Sequence, residues 1–330
     1  MRVESLSRLL NGILLNNPVI SQVSGFNFHA KAIKRGEAFI CLMANQLDID
    51  EALKNGAYAI ITSESVKISD EEVAYIKVEN IQSALFRLMR FFISQNGLKF
   101  FYVNAVLMAI LGRMSVKNAT LLPTQIDELF KSVYFARKGE IFFSDKSYLL
   151  EQLSPIYECV FSDPNATLTT KGSMFFINTI CDGVYYQNLN ISEVFLGDFC
   201  GLIKFLNQNN ISFKISDFKN LGHFEPIFID KDFQATSFGS TFRAVIVESD
   251  LELLKLEISY LSENFSQDDF IIAIPKSENF KVKNAFYFDN VSEITTLKNF
   301  RYILVFSKKL EVLNALNQQK PQENLFSHLL

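Results

Sequence analysis

Glu37-Ala38-Phe39-Ile40-Cys41-Leu42-Met43, the segment Asp50–Asn55, Gly56, and then Ala57-Tyr58-Ala59-Ile60-Ile61-Thr62 form the stretch that sets the fold class. The two apolar runs have strand length and contain aromatic and β-branched residues. A short helix over 50–55 separates them. Gly56 follows it at the C′ position, where a left-handed backbone costs little. Two strands joined through a helix read as a parallel pair. Working outward, Val73–Val78 predicts a third strand. Asn80 then caps a helix that runs to about Gln95. Its apolar residues Ile81, Ala84, Leu85, Leu88 and Phe92 fall on one face, and Gly97 closes it.

The last third repeats the alternation. Ala244–Val247, Phe270–Ile274, Ala285–Phe288 and Tyr302–Phe306 read as short buried strands. Asp250–Asn264 reads as a helix with Leu251, Leu254, Ile258 and Leu261 on one face, and a final helix spans about Lys308–Gln318. The middle is less regular. Ala166–Lys171, Ser173–Ile180 and Val184–Gln187 read as strands, with Asp182-Gly183 as a hairpin turn. Glu193–Asn207 reads as a helix. The fold class is α/β, without repeats or low-complexity segments.

The chain has 330 residues, enough for two or three domains. Its net charge of −4 offers no polybasic surface, so nucleic acid is not an expected partner. The longest apolar run, Phe100–Gly112, contains Asn104 and is too short to span a bilayer. Membrane insertion is therefore not expected. The opening Met-Arg-Val-Glu-Ser-Leu-Ser-Arg lacks the apolar core of a signal peptide. Cys41, Cys159, Cys181 and Cys200 show no CxxC spacing and read as free thiols of a reducing compartment. The expectation is a soluble cytoplasmic protein.

The order of segments is similar to that of the Mur ligases, most of all their UDP-MurNAc-tripeptide:D-alanyl-D-alanine ligase branch. Leu6-Ser7-Arg8-Leu9-Leu10-Asn11-Gly12 resembles that family's first helix. Ile33-Lys34-Arg35-Gly36-Glu37-Ala38-Phe39-Ile40-Cys41-Leu42 resembles its K-x-G-x-L-F-V-A-L strand entry. Ala52 to Ile61 resembles A-x-x-x-G-A-x-A-I-V. Leu221-Gly222-His223-Phe224-Glu225 with Ile229 to Thr236 resembles P-G-R-x-E followed by I-D-D-S-Y-N-A-N. Tyr302 to Lys309 resembles I-L-V-K-G-S-R. The resemblance implies three lobes: an N-terminal domain over 1–97, a central domain over 98–220, and a Rossmann-like C-terminal domain over 221–330.

The departures from the family pattern carry the functional reading. The family holds ATP on a glycine-rich loop whose amides cradle phosphates, completed by Lys and Ser/Thr. Here Lys99-Phe100-Phe101-Tyr102-Val103 runs straight into Asn104-Ala105-Val106-Leu107, and no Gly-Lys-Ser/Thr occurs in the sequence. The segment with the family's Glu and His magnesium ligands has no counterpart, which implies a truncated central domain. His29-Ala30-Lys31 stands at the uridine-site D-S/T-R. Met43 to Asp50 stands at K-G-x-x-x-D-G-H, where only Asp48 matches. His223 replaces the ATP-contacting Arg, and Lys231, Phe233 and Gln234 replace Asp, Tyr and Asn.

The resemblance with its losses implies a non-catalytic homologue tied to peptidoglycan precursor synthesis. It implies no catalytic residue, cofactor or metal. Lys31, Asp48, His223 and Asp230 are the possible residual ligand contacts. Cell-wall synthesis proteins or a precursor are the expected partners. Two alternatives stand: a binding module for UDP-linked or peptide precursors, and an active ATP-dependent ligase.

Other features have plain readings. His29 and His223 lack neighbouring ligand-type residues. Asp230 and Asp232 read as loop residues rather than metal ligands. Thr170-Lys171-Gly172-Ser173 reverses the phosphate-loop order and reads as a turn. Phe91, Phe92, Phe100, Phe101 and Tyr102 read as core. Lys308-Lys309 reads as a helix start. Asn324–Leu330 reads as a docking peptide or a frayed terminus.

Overall fold

The computed structural model describes residues 1–43, 45–170 and 172–317. In chain order the first elements are α1 (Val3–Leu10), β1 (Ile13–Leu14), β2 (Gly25–Asn27), β3 (Glu37–Ile40), α2 (Gln46–Lys54), β4 (Ala59–Thr62), β5 (Ala74–Lys77) and α3 (Ile81–Asn96). Then come β6 (Lys99–Tyr102), α4 (Ala105–Arg113), β7 (Ser115–Val116), β8 (Ala119–Leu121), α5 (Ile126–Tyr134), β9 (Ile141–Ser144), α6 (Ser147–Leu153) and β10 (Glu158–Cys159). The remainder holds β11 (Ile177–Cys181), β12 (Val184–Leu189), α7 (Leu196–Gln208), β13 (Phe213–Lys214), β14 (Glu225–Ile229), β15 (Arg243–Glu248), α8 (Leu251–Asn264), β16 (Phe270–Pro275), β17 (Phe286–Phe288), β18 (Tyr302–Phe306) and α9 (Lys309–Asn317).

By packing, the chain forms two compact units. One comprises Met1–Val103 with Asn118–Cys159; the other comprises Asn104–Lys117 with the chain from Val160 onward. In the first, β1-β5-β4-β3-β2 make one sheet, parallel except for β1, and β10-β6-β9-β8 make a second, wholly parallel one. Strand alternation divides the first sheet's side chains. Ala38, Ala59 and Ala74 lie in register across three strands. With Ile40, Ile61 and Ile76 they join the core that includes α1 and α3. Phe39, Ile60 and Tyr75 face the other way, into the cluster with Ile49 and Ala52 of α2. Each large apolar side chain so buried stabilises by about 1.5–3 kcal/mol.

Local chemistry sets the helix ends. Asn80 accepts from the Ser83 amide at the start of α3, and Gly97 ends it at φ 59°. Helix α2 starts four residues before the predicted segment because Asn45 caps it, accepting from the Leu47 amide.

In the second unit β14-β15-β18-β16-β17 form a sheet, parallel except for β14. Val245, Val247, Ile303 and Val305 pack with Val312 and Leu316 of α9. Helix α8 packs on β15 and β18. Helix α7 packs against α4 and the β11–β12 hairpin. Val106, Ile110, Phe199 and Ile203, expected to be core from the sequence, are all buried. Gly201 has no room for a side chain: a Cβ there would lie 2.1 Å from the Phe161 carbonyl oxygen.

The structure revises several sequence expectations. Cys181 and Cys200 are joined by a disulfide, because the hairpin end and α7 bring them together; Cys41 and Cys159 are free. Ala166–Lys171 is not a strand through its described residues; it contributes a single bridge, Leu168 to Thr179. The predicted 193–207 helix begins as a 3-10 turn at Glu193–Phe195 before α7. Phe92, Phe100 and Phe101 are core, whereas Phe91 is 40% exposed. Separately, strand β6 belongs to the first compact unit and helix α4 to the second. Asn324–Leu330 lies outside the described residues.

Candidate functional site

A cavity of about 330 Å³ opens in the second unit. His223, one of its lining residues, is held at the carboxyl end of β15. In open α/β sheets this end of the strands is where ligands gather. Phe175, Phe218, Phe224 and Phe238 give it an aromatic wall. Several polar groups on its rim are already paired. Glu225 accepts from the Gly222 amide at 2.9 Å and pairs with Lys309 at 2.5 Å. Lys309 also donates to Asn220 at 3.1 Å.

The electrostatic centre is Glu248, the last residue of β15, whose side chain is fully buried. It accepts from the Ser249 and Asp250 amides at 2.8 and 2.7 Å and from the Phe224 amide at 3.3 Å. His223 Nδ1 lies 3.1 and 3.2 Å from its two oxygens. Burial raises the Glu248 carboxyl, but the His223 bond, the neighbouring Glu257 carboxyl, the His223 charge and the Asp250 amide outweigh it and hold the group below its ordinary value. Because Glu248 is ionised, Nδ1 carries the proton and donates. Burial lowers the His223 imidazole; the Glu248 bond and charge outweigh this and raise it.

Behind this pair sits Glu257 of α8, 0% exposed. Neither of its carboxyl oxygens has a partner in hydrogen-bonding geometry among the described residues. Burial, then the neighbouring Glu248 charge, pushes it up to about 11, so it is neutral at ordinary pH. The cavity can thus hold a small ligand with an apolar face, and the His223 ring nitrogen not bonded to Glu248 can exchange a proton.

The junction where the resemblance places a phosphate loop is built differently. Only Val103 and Asn104 separate β6 from α4. Asn104 Oδ1 accepts from the Leu107 amide at 2.8 Å, capping α4. Its amide group donates to Asp198 at 2.8 Å, and Ser162 donates to the same oxygen at 2.7 Å. Asp198 is buried. A carboxylate of the chain itself therefore stands near this helix start, held through the cap, where an incoming anion would be repelled.

Of the four sequence-derived contacts, Lys31 and Asp48 belong to the first unit and His223 and Asp230 to the second, and within each unit the two stand apart. Lys31 is exposed in a 3-10 turn, Ala30–Ala32, beside the C-terminal end of α2, since Asn55 donates to the Ala30 carbonyl. Asp48 lies in the first turn of α2 and accepts from Asn45. The seven-residue step from Asp48 to Asn55 is about 10 Å of helix rise. His223 and Asp230 flank opposite ends of β14. Asp230 accepts from the Asp232 and Gln234 amides and so shapes a turn. Glu248, Glu257 and the Lys309–Glu225 pair were absent from the sequence reading. The available signals were a glutamate ending a buried strand and another between Leu254 and Leu261 on an apolar face.

No protein-family profile matches the chain, and no curated protein matches it by sequence. Solved structures do. It is similar to the MurF ligase of Thermotoga maritima in complex with ADP, with TM-score 0.51 and 14% identity, over 92% of this chain and 98% of that one. It is also similar to MurF from Acinetobacter baumannii, with TM-score 0.52 and 8% identity, over 96% and 98%. Identities this low speak for architecture alone: the chain has the α/β fold of the MurF-type Mur ligases.

Proposed function

We propose that this protein is a non-catalytic relative of the Mur ligases that acts by binding, within peptidoglycan precursor synthesis. The observation that carries the reading is the β6–α4 junction. There Asn104 caps the helix and is held by the buried Asp198. Phosphoryl transfer depends almost wholly on positioning and on stabilising charge. A two-residue junction backed by a carboxylate supplies neither. Cell-wall synthesis proteins are the partners this reading names, and the cytoplasm is its setting.

The aromatic cavity beside His223 favours a second reading, a binding module for UDP-linked or peptide wall precursors. A thermal shift with UDP-MurNAc-tripeptide separates the two, because a ligand bound by the folded state raises stability by mass action. The first reading predicts no shift that survives excess pyrophosphate.

The test of the non-catalytic claim is a ligase assay with Mg-ATP, UDP-MurNAc-tripeptide and D-alanyl-D-alanine. The account expects phosphate release at the level of the protein-free control. Turnover that depends on both acceptor and donor would establish an active ligase instead.

A further inference from the structure

A second cavity of about 720 Å³ lies in the same unit as β14, at the opposite end of that strand from His223. Lys231, Arg243 and Lys298 line it, with Asp232 as the one acidic side chain on its wall. None of these three cations has an ion-pair partner among the described residues. The chain as a whole carries −4, so three cations against one acid is a local reversal of sign.

The cations stand on braced supports. The Arg243 guanidinium sits over the Phe300 ring, 5.0 Å from its centroid, and Phe300 packs on Phe233 at 5.7 Å. Stacking fixes the guanidinium plane and leaves its edge donors available. Lys231 lies in the turn that Asp230 closes by accepting the Asp232 and Gln234 amides. Lys298 precedes β18, whose entry is fixed by the Arg301 and Tyr302 amides donating to the Asp269 carbonyl. The geometry points to a binding site for a phosphate-type oxyanion here, with Arg243 as the planar donor and Lys231 and Lys298 as neutralising charges. A net lining charge near +2 matches a phosphate monoester or a diphosphate, and a planar guanidinium suits two oxygens of one phosphate. This site is independent of the reading of the β6–α4 junction.

The test is calorimetric titration of the full chain at low ionic strength with inorganic pyrophosphate, and separately with glycerol 3-phosphate. At least one probe binds saturably, and the one that does identifies a diphosphate or an ester. Lys298→Glu, an exposed change that spares the core, weakens that binding tenfold or more, and Arg243→Gln does the same. Lys255→Glu, on exposed α8 surface, leaves it unchanged. Absence of saturable heat from both probes overturns the proposal, as does binding that persists in Lys298→Glu and in a folded Arg243→Gln.

Discussion

At the scale of single residues, the buried carboxyls decide how the protein responds to pH. Glu257 titrates far above its ordinary value when folded. Its contribution to stability is therefore fully present below the ordinary carboxyl range and is lost as pH rises toward about 11. His223 is also raised, and its contribution is lost as pH rises through its folded value. Glu248 is lowered, so its contribution is lost only as pH falls through its lowered value. Glu257→Gln removes the first of these. The variant should be increasingly stabilised relative to the parent as pH rises, by about 1.4 kcal/mol per unit, or roughly 4 kcal/mol between about pH 5 and about pH 8. Urea melts at the two pH values check this; a difference that stays constant with pH would show that Glu257 is ionised in the folded protein.

From the sequence His223 has no partner, and its replacement by alanine is expected to cost little. The structure reverses that: His223→Ala leaves Glu248 buried with one fewer donor and should cost about 2–3 kcal/mol. Neither glutamate was legible as a site residue. A carboxylate one position beyond Ala244–Val247 reads as the solvated end of a strand. Only the fold turns the Ser249, Asp250 and Phe224 amides toward it.

At the scale of elements, the α4–α7 contact is the most exposed to test. Ile110→Asp would place an unpaired carboxylate in a fully buried position and should destabilise by roughly 3 kcal/mol or more in urea melts. The disulfide between β11 and α7 gives a separate count: alkylation of the denatured, unreduced protein should modify two cysteines, and all four after reduction. Modification of four without reductant would return the pair to the thiol state read from the sequence. That reading failed because spacing in sequence carries no information on which hairpin end meets which helix.

Other elements were plain. Tyr302–Phe306 is a strand over the span its apolar run suggests, and α3 starts and stops at the Asn80 and Gly97 signals. By contrast, α5, β9 and α6 are not legible in the sequence. Ile141-Phe142-Phe143-Ser144 is too short to declare itself, and it becomes a strand because β6 and β8 pair on either side of it.

At the scale of the whole molecule, the α/β class and its alternation were legible because buried parallel strands are continuous apolar runs. The packing into compact units is a separate matter: it places residues 104–117 with the second unit and 118–159 with the first. Sheet pairing over long separations produces that exchange, and periodicity does not record it. The functional reading depends on the same junction, where the chain passes from Val103 to Asn104.

Its central claim, that the helix start at Asn104 is closed to nucleotide phosphates, is tested most directly by calorimetric titration with millimolar Mg-ATP. Competition with excess pyrophosphate separates any heat arising at the Arg243 cavity. The account predicts no saturable heat beyond that competed fraction. A residual site with a Kd below about 100 μM, roughly −5.5 kcal/mol, would contradict it.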